Sequence, residues 1–131
     1  MMEEKCPCGS DKSYRECCKL AHDNPMFIST AEQLMRSRYT AFTKAMGDYL
    51  ILTHHSSTVH SVDKKELESW ARSVTWLRLE VLNSIKGLES DDVGTVEFKA
   101  HFKERRKPRF IHENSLFQKE FGVWKYVKGI V

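Results

Sequence analysis

The sequence predicts an α+β fold: an antiparallel sheet packed on N-terminal helices, behind a small cysteine-rich segment. Three observations carry that prediction. All four cysteines lie within the first 18 of 131 residues. Apolar residues then recur at helical spacing as far as about residue 71. From Thr75 the period changes to two, in four runs joined by short turns. Helices first and strands afterwards give segregated layers, with helices on one face of the sheet.

The cysteine segment reads Cys6-Pro7-Cys8, then eight residues, then Cys17-Cys18. Disulfides would suit a secreted mini-protein, but the N-terminus has no apolar stretch of a secretory signal, and the expected compartment is the reducing cytoplasm. A redox pair beside a βαβ pattern is absent. Two close thiolate pairs supply the four soft ligands of a structural zinc site, with no open position for a reacting water. Gly9 follows the second ligand, where a turn can aim backbone amides at the thiolates, and residues 13–18 are expected to form a short helix that delivers the second pair. Cys6-Pro7-Cys8-Gly9-Ser10 with Cys17-Cys18 resembles the SEC-C motif, the zinc-binding element also found at the C-terminus of the export ATPase SecA. The resemblance implies that Cys6, Cys8, Cys17 and Cys18 bind one structural Zn2+ per chain. By the same resemblance, the ribosome and a SecB-like export chaperone are the partners to test. Residues 1–18 carry a net charge of −1, and a tetrathiolate zinc centre would take it to −3, which suits a protein partner better than phosphate. Zinc thiolates that release metal on oxidation are a further reading.

Residues 1–22 are therefore read as the motif, 23–29 as a linker holding Asn24-Pro25, and 30–131 as the main domain. Thr30 with Gln33 forms a capping box at the start of a helix. Met35, Tyr39, Phe42 and Met46 make its apolar stripe, and Gly47 is expected to end it. Asp48 can cap a second short helix, and Asp63 with Glu66 a third, with Leu67, Trp70 and Ala71 on its apolar side. In the first strand Leu77, Leu79 and Val81 alternate with Trp76, Arg78 and Glu80. In the second, Val96, Phe98, Ala100 and Phe102 alternate with polar residues. Lys103 to Arg109 reads as a charged turn, Phe110 to Lys119 as the third strand, and Gly122 as the turn into a fourth. Trp70, Trp76 and Trp124 are expected in the core.

Residues 30–53, His112-Glu113-Asn114-Ser115-Leu116-Phe117 and Gly122-Val123-Trp124-Lys125-Tyr126 resemble the YchJ-type bacterial family. Its members join a SEC-C motif to a domain similar to nuclear transport factor 2. The resemblance implies a cone-shaped, cystatin-like α+β domain in which a curved sheet folds around helices. It implies no activity. The family often reads His-Pro-Ser-Thr where this chain has His55-Ser56-Ser57-Thr58.

Such a cone can host a pocket for a small ligand or a small enzyme site. The candidate residues are Arg36, Arg38, Tyr39, Tyr49, His112 and Glu113. On a strand His112 and Glu113 face opposite ways, and Glu113 shares its side with Ile111, Ser115 and Phe117. A carboxylate among those neighbours calls for a partner, and Arg36 or Arg38 is the natural one. Such a network could simply fix helix to sheet, or Glu113 could act as a base beside an anion-holding arginine. A metal on His54, His55 and His60 is the lesser reading of a solvated loop. The net charge of +3 is too small to argue for nucleic acid. Such a partner would have to use Lys103, Arg105, Arg106, Lys107 and Arg109. No apolar run is long enough to span a bilayer. The leading expectation is a protein-interaction adaptor working through its zinc motif, with the pocket as the alternative.

Overall fold

A capping box sets the start of the longest helix, and the rest of the fold is arranged around that helix. In the computed structural model, which describes residues 4–130, Thr30 Oγ1 accepts from Gln33 N–H while the Gln33 side chain accepts from Thr30 N–H. The first three residues of the motif and Val131 lie outside the described residues.

Among the described residues, four α-helices precede four strands. They are α1 (Cys18–Asp23), α2 (Ala31–Thr43), α3 (Gly47–Leu52) and α4 (Lys64–Ser73). The strands are β1 (Thr75–Lys86), β2 (Val93–Glu104), β3 (Lys107–Glu120) and β4 (Val123–Gly129). They form one antiparallel sheet in the order β1-β2-β3-β4. The free side of β4 is covered by the chain after α3: His55 N–H donates to Tyr126 O, and Tyr126 N–H to Thr53 O.

Several local expectations are corrected. The helix near the second cysteine pair is α1, which begins at Cys18, and Tyr14–Glu16 form only a 3-10 turn capped by Ser13. The segment read as a linker holds a second 3-10 turn, Pro25–Phe27, with Asn24 accepting from Met26 N–H, and Ile28 packs in the core. Gly47 does not end α2 but opens α3, since Lys44 and Ala45 already close the preceding helix. Asp63 caps Glu66 N–H at α4, as its spacing predicts.

Helix α2 is buried on more than its apolar stripe. Five consecutive positions, Ser37 to Ala41, are buried. Neighbours surround it: the cysteine segment and α1 lie on one side, α3 on another and the sheet on the third. Its polar positions are satisfied by those neighbours. Ser37 Oγ donates to Leu34 O at 2.7 Å and meets the Tyr49 hydroxyl at 2.6 Å.

In β1 the simple alternation fails. Register shifts fall at Leu77 and Leu82, so both side chains are exposed and Trp76 turns inward with Leu79. A bulge inserts one residue and swaps faces beyond it. The β1–β2 hairpin crosses closely at two glycines. A β-carbon on Gly94 would stand 2.4 Å from Gly87 Cα, and one on Gly87 would stand 2.7 Å from Ala31 Cβ. That approach lets Gly87 O accept from Ala31 N–H at 2.9 Å and ties hairpin to helix.

Candidate metal centre and pocket

The cysteine segment folds by backbone hydrogen bonds before any side chain is considered. Cys6 N–H donates to Lys12 O at 2.8 Å, and Gly9, at φ 84°, donates to Cys6 O at 3.2 Å. The turn sets Cys6 beside Cys8, and the start of α1 delivers Cys17 and Cys18. All four Sγ atoms lie within 4.8 Å of one another, with Cys8 and Cys17 3.7 Å apart. A tetrahedral zinc with Zn–S bonds of 2.3 Å would space its sulfurs by about 3.8 Å. The donor set therefore fits a closed four-sulfur metal site. Among the described residues it is the one group of histidine, cysteine and carboxylate side chains with that geometry.

Neighbours orient the sulfurs. Thr40 Oγ1 donates to Cys18 Sγ at 3.4 Å, and Ser10 Oγ lies 3.1 Å from Cys17 Sγ. Arg36 Nη1 donates to Cys8 O at 2.7 Å while its Nε pairs with Glu32. Hydrogen bonds from Cys18 and Cys6 push the Cys8 thiol far down, and the same kind of contact with Cys6 pushes Cys18 far up. Cys6, Cys8 and Cys18 are buried in the same cluster as Leu34, Leu79, Phe117 and Trp124. The motif is part of the core, not an appended bead.

On the other side of α2 lies a cavity of about 240 Å3. Arg38, Tyr39, Glu113, Ser115, Tyr126 and His54 line it, together with Trp70, Trp76 and further apolar groups. Two of the three tryptophans expected in the core therefore form its wall, and only Trp124 is fully buried. Aromatic rings gather around Trp76: Tyr39, Trp70 and Phe42 stand 5.7, 5.4 and 6.0 Å from it. Polar groups gather around Tyr126. Its hydroxyl donates to Glu113 Oε1 at 2.9 Å, Ser115 Oγ donates to the same oxygen at 2.6 Å, and the His54 ring meets its edge at 5.2 Å.

The expected pairing of Glu113 with an arginine is corrected. Among the described residues no ion pair joins Glu113 to Arg36 or Arg38. Residues two apart on a helix point about 200° apart, so Arg36 turns to the cysteines when Arg38 turns to the cavity. Arg38 Nη1 is taken by Leu50 O at 2.9 Å and Thr53 Oγ1 at 2.8 Å, at the end of α3. Its guanidinium lies 4.7 Å from the Tyr126 ring centre. Burial brings Arg38 down to about 10, still protonated at neutral pH. Burial likewise raises Tyr39 to about 12 and lowers His54 to about 4. His54 is therefore neutral at pH 7, with Nε2 2.9 Å from Thr58 Oγ1.

The remaining candidates lie elsewhere. His112 points to the outer face and meets Glu97 at 2.7 Å. Tyr49 is buried against Ser37 and His22, outside the cavity lining. Without the family's proline, the turn after His55 is held by Ser57, whose N–H and hydroxyl reach His55 Nδ1 at 3.1 and 2.8 Å. The charged turn is shorter than the sequence suggests. Glu104 ends β2 and Lys107 opens β3, leaving Arg105 and Arg106 as the turn, at φ 52° and 68°. Arg109 pairs with Glu104 at 3.4 Å. Sequence reasoning missed Tyr126, although its alternation with Trp124 puts both on the inner face of β4.

Comparison with known proteins fits this geometry. The YchJ middle NTF2-like domain matches residues 30–129. The chain belongs to the YchJ family. A UPF0225 protein of Vibrio parahaemolyticus is 38% identical over 98% of this chain and 75% of its own length. One from Sodalis glossinidius is 41% identical over 98% of this chain and 84% of its own. The solution structure of a SEC-C motif containing protein from Rhodopseudomonas palustris superposes with a TM-score of 0.83 at 34% identity, covering 98% of this chain and 97% of that one. A crystal structure of a SEC-C motif containing protein from Psychrobacter arcticus gives 0.80 at 30% identity, over 96% and 81%. The chain is thus a YchJ-family protein with an NTF2-like α+β domain and a cysteine cluster able to hold a metal. Its helices include none long and apolar enough to cross a membrane among the described residues.

Proposed function

We propose that this YchJ-family chain is a small-ligand-binding protein whose pocket is braced by one structural zinc. The observation that carries the reading is the cavity itself: about 240 Å3, mostly apolar, with a buried cation at its wall. Binding pockets combine such a lining with a few fixed polar groups. A cavity of about 150 Å3 already takes benzene, so this one has room for a ring with a short polar arm. Glu113 Oε1 is engaged by two hydroxyls, which suits a fixed acceptor better than a free base. Four thiolates in a closed site leave zinc no position for water, so its part is to hold Cys6, Cys8, Cys17 and Cys18 against α2. The cytoplasm, which keeps thiols reduced, suits that site.

The test is an NMR titration of the zinc-loaded protein with a library of single-ring fragments. Ligand binding predicts amide shifts confined to residues around Met35, Phe98 and Tyr126. Shifts nowhere near the cavity would end this reading.

One observation favours a second role, as an adaptor. Leu20 is exposed on α1, and Met26 and Phe27 on the 3-10 turn after it, Met26 by 75% and Phe27 by 66%. Grouped exposed apolar residues suit a protein contact. The ribosome and a SecB-like export chaperone are the candidates. Co-sedimentation and pull-down should be lost on replacing Leu20, Met26 and Phe27 together with serine, with zinc content unchanged.

A further inference from the structure

We propose that the pocket takes a zwitterion with one aromatic ring, an amino acid of the phenylalanine type, with its carboxylate on Arg38 and its ammonium on Glu113. The inference rests on the pocket being a ligand site and names the class of ligand.

The argument starts from charge. Arg38 and Glu113 line one cavity, yet they do not pair with each other. Arg38 uses Nη1 alone, and on two neutral acceptors, Leu50 O and Thr53 Oγ1. Its Nε and Nη2 have no protein acceptor among the described residues, and none of the described buried side-chain nitrogens or oxygens is left without a partner, so both keep accessible surface on a residue that lines the cavity. Glu113 is the mirror case. Both of its hydrogen bonds enter Oε1, leaving Oε2 without a protein donor. The two open groups stand on either side of Tyr126, whose ring lies under the guanidinium and whose hydroxyl reaches the carboxylate. His54, the other titratable base in the lining, is neutral.

The lining thus offers a buried guanidinium and a partly buried carboxylate that do not pair with each other. Unpaired charges in an apolar site are costly, and a guest that pairs both removes that cost. A dianion such as phosphate would meet Glu113 with like charge. A simple monocarboxylate would satisfy Arg38 and leave Glu113 open. A zwitterion adds no net charge and satisfies both. Carboxylate and guanidinium also match as a two-point fork. The aromatic group around Trp76 and Trp70 gives the third point, since rings prefer edge and offset contacts with one another.

The experiment measures the affinity of the zinc-loaded full chain for four probes: L-phenylalanine, 3-phenylpropionate, phenethylamine and ethylbenzene. The last three lack the ammonium, the carboxylate or both. The expected result is that L-phenylalanine binds at least tenfold more tightly than each of the others. Glu113→Gln should abolish its advantage over 3-phenylpropionate while leaving 3-phenylpropionate affinity within threefold. Arg38→Lys should weaken both carboxylates and spare phenethylamine. Circular dichroism confirms the fold of each variant, and Glu113→Gln still decides the matter should the Arg38 variant not fold. Binding of ethylbenzene or 3-phenylpropionate as tight as that of L-phenylalanine overturns the ligand class and leaves the pocket reading intact. Binding of none of the four at millimolar concentration overturns both.

Discussion

Gly129 lies against the carboxylate of Glu113: a β-carbon there would stand 2.8 Å from Glu113 Cδ and 2.9 Å from Oε1. The end of β4 is therefore part of the wall that fixes this carboxylate. Gly129→Ala forces Glu113 to move, and the hydroxyls of Ser115 and Tyr126 must follow or lose it. The expected cost is about 0.5–1.5 kcal/mol, that of a lost hydrogen bond, because the atoms in the way are the end of a flexible side chain. Urea denaturation measures it. A variant as stable as the parent would mean that Glu113 is free to swing.

Metal removal should reach the whole domain, because Cys6, Cys8 and Cys18 share a core cluster with the sheet. Chelation, or Cys8→Ser, is expected to cost at least about 3 kcal/mol and so lower Tm by roughly 10 °C. Near-ultraviolet circular dichroism should change with it, since Tyr14 and Tyr39 adjoin the cluster. A Tm indifferent to chelator would show that the hydrogen bonds of the segment suffice alone.

The β3–β4 turn carries Phe121 at φ 53° with its side chain fully exposed, followed by Gly122 at φ 80°. Two consecutive positive φ values suit Asn-Gly, and a bulky residue in the first position is strained. Phe121→Asn should stabilise the chain by about 0.5–1 kcal/mol, read as a higher denaturant midpoint. A lower midpoint would indicate that the ring contributes a contact in solution.

His54 gives a dependence on pH with a definite sign. Burial first, then Arg38 and His55, hold it near 4 against an ordinary 6.5. Between those values the unfolded chain binds a proton that the folded chain refuses, so stability falls as pH drops through the window. Above about 6.5 its effect is complete and constant. His54→Gln should lose less stability than the parent between pH 7 and pH 5. Parallel curves for the two proteins would contradict the assignment. Tyr126 and Thr58 also touch this ring and are unchanged in the comparison.

Much of this arrangement is visible in the residues. The cysteine spacing brings the four sulfurs together because short turns fix short loops. The alternation in β2 and β3 puts Phe98, Ala100, Glu113 and Ser115 on one face, and the capping box marks the start of α2. What is not visible is tertiary. The bulges at Leu77 and Leu82 leave no local mark, so strict alternation groups Trp76 with Arg78 and Glu80, although its ring packs inward as expected of a core tryptophan. Arg36 and Arg38 look equivalent in the sequence, yet only the packing of α3 shows that one serves the cysteines and the other the cavity. The stripe on α2 understates its burial, because Ser37 and Thr40 are buried through hydrogen bonds and not through hydrophobicity.

The continuity of the cysteine cluster with the core has a consequence at the level of mass action. A metal bound only by the folded chain draws folding and metal uptake into one equilibrium, and each tenfold rise in free zinc beyond saturation adds about 1.4 kcal/mol to stability. With zinc as that metal, the fraction of folded chains would follow the free zinc of the surrounding solution. Scarcity would first be felt not as an empty site on an intact protein but as a shrinking population of folded molecules, open to proteolysis and renewed only when metal returns.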